Sequence, residues 1–145
     1  MIINNTPTPA QAAIRQVNVY FVNAFHKHDA QGIARHYTPG GKLLPAHSNI
    51  IVGRPAIGAF WQGVLDMGLC CTERKTIELQ SAAIGHEIGA YMLRMADGQP
   101  VDAGLYIALW QWTEGRWQIR YEVWQSGWPA AWGDRRVVGS SSVTC

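Results

Sequence analysis

Glu122 stands in the strand-like stretch RWQIRYEVWQ, residues 116–125, in which successive side chains alternate between two faces. Trp117, Ile119, Tyr121 and Val123 form one face, and Gln118, Arg120, Glu122 and Trp124 the other. Burial among aromatic rings disfavours a carboxylate's charged form and brings such a group toward proton transfer near neutrality. That makes Glu122 a candidate general acid or base, with proton abstraction beside a carbonyl as the reaction class. A second reading is structural: an ion pair with Arg120 or Arg54, or a hydrogen bond from Tyr106 or a tryptophan N–H. A close carboxylate–guanidinium contact would favour the second reading, and an unpaired carboxylate reachable by solvent the first.

The remaining chemistry-bearing residues form no familiar constellation. Five histidines are present (His26, His28, His36, His47, His86) without HExxH or comparable spacing, so no metal site is expected. His26 and His28 straddle a helix end, where imidazoles cap carbonyls, and His86 reads as a turn residue. The cysteines are Cys70, Cys71 and Cys145, neither a disulfide framework nor a CxxC pair. Cys70 and Cys71 read as inert thiols, and a reduced, cytoplasmic location fits best.

Composition narrows the classes further. At 145 residues the chain is one domain's worth, able to bury about 68–70% of its unfolded surface. A hydrophobic share of 48% against 15% charged excludes a disordered chain. The net charge of +2 is too small, and Lys and Arg too scattered, for a nucleic-acid or anionic-membrane partner. No apolar run approaches the roughly 20 residues of a membrane span, and MIINNTPTPA lacks a signal peptide's pattern.

Helices come first. Thr8-Pro9 with Gln11 opens one to about Lys27, carrying Ile14, Val17, Phe21, Ala24 and Phe25 on its apolar stripe. Asp29 caps a second through about Tyr37, ended by Pro39-Gly40-Gly41, and Pro55 opens a third that stops at Gly68. KLLPAH and NIIVG between them read as short strands, with Pro45 confining the first to an edge or bulge. Thereafter the period is two, in four long strands joined in part by turns at Asp97-Gly98 and Glu114-Gly115. Helices followed by antiparallel strands define an α+β fold, with the sheet expected to curl around the helices into a cone. A single domain is expected over residues 1–129, and a mobile tail over 130–145.

FHKHDAQGIARHYTPGG (25–41), GRPAIGAFW (53–61), EIGAY (87–91) and the stretch from Asp97 to Pro129 resemble, in this order, the SnoaL-like, DUF4440-type branch of the NTF2-like superfamily. The resemblance covers about residues 10–129. It implies a cystatin-like cone of about three N-terminal helices on a curved antiparallel sheet, dimeric through the sheet's outer face. Members include ketosteroid isomerases, polyketide cyclases and epoxide hydrolases, so fold alone does not choose an activity.

The isomerases' catalytic positions do not carry over. Their carboxylate base aligns with Pro45, their helix tyrosine with Phe21, and their protonated aspartate with about Ala108. Steroid isomerisation of that kind is therefore not implied. An acid at the place of Glu122 is common in the branch, and His47, two residues beyond Pro45, is a substitute base on the same strand face. The alignment turns Phe60, Trp110, Trp112, Arg120 and Trp124 inward as well, with Phe21 and Tyr106, to wall a pocket for a small apolar or aromatic molecule. Asp102 shares a strand face with Tyr106. The expected function is small-molecule binding without a cofactor, by an isomerase- or cyclase-type enzyme using Glu122 or by a non-catalytic module. The apolar outer face (Ile107, Leu109, Ile119, Tyr121, Val123) is the expected dimer surface, and Trp128 and Trp132 are candidates for a lid or a dimer contact.

Overall fold

The computed structural model describes residues 8–127. Three helices precede four long strands: α1 (Pro9–His26), α2 (Ala30–Ala34), β1 (Tyr37–Leu44), β2 (Ile51–Val52), α3 (Arg54–Asp66), β3 (Leu69–Ser81), β4 (Ile84–Met95), β5 (Pro100–Thr113) and β6 (Arg116–Ser126). Helix α1 begins where its capping chemistry requires. The Thr8 hydroxyl accepts from the Gln11 N–H, and the Gln11 side chain accepts from the Thr8 N–H. The Asp29 carboxylate caps α2 through the Gly32 N–H at 2.9 Å.

The strands form one sheet in the order β2-β1-β6-β5-β4-β3. Its pairings are antiparallel except that of β1 with β6, which is parallel and makes the sheet mixed. At the β5–β6 hairpin, Glu114 and Gly115 both take positive φ, as a tight two-residue turn requires.

Two departures from the sequence-based expectation matter for the interior. First, α2 stops at Ala34, and Tyr37 to Gly41 belong to a strand rather than to a helix end and its stop. Pro39 and Gly40 fall where the register of β1 against β6 shifts, an irregularity that tolerates proline. Second, β6 is not a regular alternation. Leu109 faces Tyr121 and Trp110 faces Ile119, so Arg120 is left over as a bulge. Ile119 consequently shares the inward side with Trp110 and is buried, whereas Arg120 is exposed.

Glycines make room for rings on the inner face. A Cβ on Gly89 would lie 2.1 Å from the Tyr106 ring, so glycine there is what lets the tyrosine lie across β4. Phe21, Phe25, Trp61 and Trp124 pack in a chain of ring contacts with centroids 5.1–6.1 Å apart, the spacing of favourable tilted and edge-on pairs.

Candidate functional site

The inner face of the sheet holds two carboxylates in one cross-strand row: Glu87 on β4 faces Ala108 on β5, which faces Glu122 on β6. Both side chains are buried. They lie two strand spacings apart, about 9–10 Å between backbones, over the small side chain of Ala108.

Glu122 is held by a cation. Arg74 of β3 donates from Nη2 to Glu122 Oε2 at 2.5 Å, with both side chains fully buried. The Tyr37 hydroxyl donates to Oε1 at 2.7 Å, and the Trp124 indole N–H donates to the same oxygen at 2.5 Å. Glu87 is held by neutral donors. Asn18 Nδ2 (2.7 Å), Thr76 Oγ1 (2.6 Å) and the Tyr106 hydroxyl (2.8 Å) donate to Oε2, and the Trp110 indole donates to Oε1 at 3.0 Å.

Asn18 joins the halves, because its Oδ1 accepts from Arg74 Nε at 2.6 Å while its amide reaches Glu87. The Arg74 guanidinium lies between rings, with Cζ 4.4 Å from the Phe21 centroid and 3.9 Å from that of Tyr106. Its Nη1 is buried and has no hydrogen-bond partner among the described residues.

The electrostatics follow from this arrangement. Burial works to lower the Arg74 pKa, but Glu122, followed by Tyr106 and Glu87, outweighs it and holds the guanidinium above its usual value. Burial raises Tyr37, and the neighbouring Glu122 charge adds to the rise. Tyr106 is raised by burial and by Glu87, with Arg74 opposing. Both phenols therefore stay protonated and serve as donors. Burial also pushes the Cys71 thiol up to about 12, so it is no nucleophile near neutrality. Cys71 is a free, buried thiol, in keeping with the expectation of an inert one.

Of the residues singled out in the sequence, the structure brings Glu122, Trp124, Phe21, Tyr106 and Trp110 together in this interior. Phe60 is half-buried and stacks edge-on against Trp61, one ring removed from Trp124. Three others lie elsewhere. Trp112 is 58% exposed and packs on Trp117 at the sheet's end. Arg120, displaced by the bulge, lies 5.1 Å from the Tyr121 ring. His47 is exposed in the turn after β1, with φ of 59°, because β1 ends at Leu44 before the strand face can extend to it. Asp102 accepts from Tyr91 (2.9 Å) and Ser126 (2.5 Å) and does not join the network. Trp128, Trp132 and the tail lie outside the described residues.

Sequence reasoning missed Arg74, Glu87, Asn18, Tyr37 and Thr76. One signal was present: Asn18 interrupts the α1 stripe of Ile14, Phe21 and Phe25, and all four are buried. A polar residue on an otherwise apolar helical face requires a buried partner.

A cavity of about 470 Å³ lies between α1 and β3 and touches this network from outside. Asn18, Arg74 and Thr76 form its polar wall, Val19 and Val22 its apolar one, with Arg15 and Lys75 also lining it. No metal-binding cluster of His, Cys, Asp or Glu occurs among the described residues. No described helix is long and apolar enough to cross a membrane.

No family model and no curated protein matches this chain. Solved structures do match. A domain of unknown function with a cystatin-like fold from Nostoc punctiforme shares 16% identity at a TM-score of 0.70, over 84% of this chain and 80% of that one. An NTF2-like protein from Novosphingobium aromaticivorans, also described as cystatin-like, shares 13% at 0.67 over 84% and 86%. A ketosteroid isomerase-like protein from Erwinia carotovora shares 18% at 0.67 over 83% and 98%. At such identities the likeness is one of fold. The chain has the α+β architecture of NTF2-like, cystatin-like proteins, with a buried aromatic cluster and two buried glutamates inside it.

Proposed function

We propose that this protein binds a small molecule in the cavity between α1 and β3, with the Arg74–Asn18–Thr76 edge of the buried network as its polar wall. The observation that carries the reading is that cavity's position. Its volume of about 470 Å³ falls in the range of small-molecule sites, and it abuts the side chains that hold both carboxylates. The aromatic rings behind it stiffen the wall, and Trp124 and Trp110 act as reporters of occupancy. A screen of small organic compounds by intrinsic tryptophan fluorescence tests the reading, with Val19→Trp and Val22→Trp as cavity-filling controls. Saturable binding to the wild type, weakened in both variants, is the expected result. Binding undiminished by either variant would place the ligand elsewhere and overturn it.

Binding without turnover is the better-supported form. Both oxygens of Glu122 are occupied by donors, and the Arg74 contact is the one expected of a structural partner. The alternative is a cofactor-independent isomerase or cyclase, in which ligand binding would release Glu122 from Arg74. Turnover of a bound compound, abolished in Glu122→Gln while binding persists, would establish that alternative.

The protein is also proposed to form a homodimer through the sheet's outer face. Ile88, Ile107 and Val123 lie side by side across β4, β5 and β6, and are 38%, 53% and 41% exposed. Light scattering should give twice the chain mass, reduced to the chain mass by Ile107→Asp. A monomeric wild type at micromolar concentration would refute the dimer.

A further inference from the structure

A second cavity, of about 290 Å³, lies at the other end of α1, where the helix's last turns, the Asp29–His36 segment and the start of β6 meet. Lys27, Arg35 and Arg116 reach it from three different segments, with His36 among its lining residues. We propose that this cavity binds a small oxyanion of the phosphate class, free or as a monoester, between Lys27, Arg35 and Arg116.

The wall is cationic out of proportion to a chain of small net charge. Asp29 is its one acid, and that carboxylate is engaged: Oδ1 caps α2 through the Gly32 N–H, and Oδ2 lies 3.6 Å from Arg35. Lys27 and Arg116 meet no carboxylate within ion-pair distance among the described residues. Arg116 is nonetheless held in place, since its Nη2 donates to the Arg35 carbonyl at 3.0 Å. Its Nε and Nη2 also face the Gln118 amide oxygen at 3.0 and 2.9 Å, so neutral acceptors fix the guanidinium while no carboxylate neutralises its charge, which stays available to an oxyanion.

His36 records the local field. Its pKa falls to about 4, first through burial and then through the positive charges of Arg74, Arg116 and Arg35; a hydrogen bond to the Tyr20 carbonyl opposes the fall. Three guanidinium groups thus act on one imidazole. Lys27, just beyond the end of α1, and Asp29 line the same cavity. An anion in the cavity offsets those charges, so its binding and the protonation of His36 must favour each other. The site stands independently of the α1–β3 cavity, although Asn23 lines both.

The test uses the full chain with nitrogen-labelled histidine, followed by NMR from neutral pH down through the His36 transition near pH 4, in the presence of increasing inorganic phosphate and, separately, methyl phosphate. Sodium chloride at matched ionic strength is the control. The expected result is saturable shifts centred on His36, and an apparent His36 pKa raised by about one unit, equivalent to roughly tenfold coupling. Arg116→Gln should weaken binding several-fold. Lys27→Gln, which alters only an exposed side chain, should do the same without disturbing the fold. Binding of both probes would assign a monoester site, and binding of inorganic phosphate alone a free-ion site. Shifts reproduced by chloride, an absence of saturation, or affinity unchanged in Lys27→Gln would overturn the proposal.

Discussion

Glu122 and Glu87 occupy the same row of the same sheet and are equally hidden from water, yet the protein accommodates them by different physics. Around Glu122 a full charge is neutralised by a full charge, with Tyr37 and Trp124 completing the shell. Around Glu87 no cation among the described residues is in contact, and four neutral dipoles, from Asn18, Thr76, Tyr106 and Trp110, share the task. A buried ion pair is fragile in one specific way: removing either member strands the other. A dipole cage loses its bonds piecemeal. The two halves should therefore respond very differently to changes of similar size.

The largest effect is expected from Arg74→Met. It leaves Glu122 in the interior without its cation, and should cost about 4–5 kcal/mol in urea unfolding at neutral pH and fixed protein concentration. A loss below about 1 kcal/mol would mean that water reaches Glu122. Glu122→Gln follows, at about 3–5 kcal/mol because it strands the guanidinium, against about 1–3 kcal/mol for Glu87→Gln. Equal losses at the two positions would break the comparison.

His36 sets the pH at which that comparison can be read. Its pKa is lowered to about 4 in the folded protein, against about 6.5 unfolded, so between those values the unfolded chain binds the extra proton. This contribution is complete above about pH 6.5 and is lost as pH falls toward 4, by at most about 3 kcal/mol. His36→Leu should flatten the stability profile across that window, and a slope that survives the substitution would assign it to other groups. The smallest contrast is between Tyr37→Phe and Tyr106→Phe. Each removes one hydroxyl donor to a carboxylate and should cost about 1.5–3 kcal/mol. The loss should be smaller at Tyr106, where three donors remain, and the reverse order would show that Arg74 dominates its neighbours.

How much of this was legible in the sequence depends on what each signal records. The ends of α1 and the two tight turns could be read because Thr8-Pro9, Asp97-Gly98 and Glu114-Gly115 act locally, through their own backbone angles and caps. The inward turn of Glu122 and Trp124 could also be read, since alternation holds over the second half of β6. Arg120 was misplaced because a bulge places two residues against one, and only the partner strand reveals it. Tyr37 was read as the end of a helix, since its strand partner lies some eighty positions away. Arg74 and Glu87 carry no local mark of burial in TERKTIELQ and HEIGAY. Their burial becomes evident only when three strands and α1 are brought together, a pairing that single-strand periodicity does not encode.

The position of β6 also governs the order in which the molecule can be completed. It lies between β1 and β5, so a middle strand of the sheet is the last of the described strands to be synthesised. Until it emerges from the ribosome, the growing chain holds the Arg74 cation and the Tyr37 hydroxyl without the carboxylate that binds them both. The ion pair, and with it this part of the interior, can be completed only when β6 has paired with its neighbours.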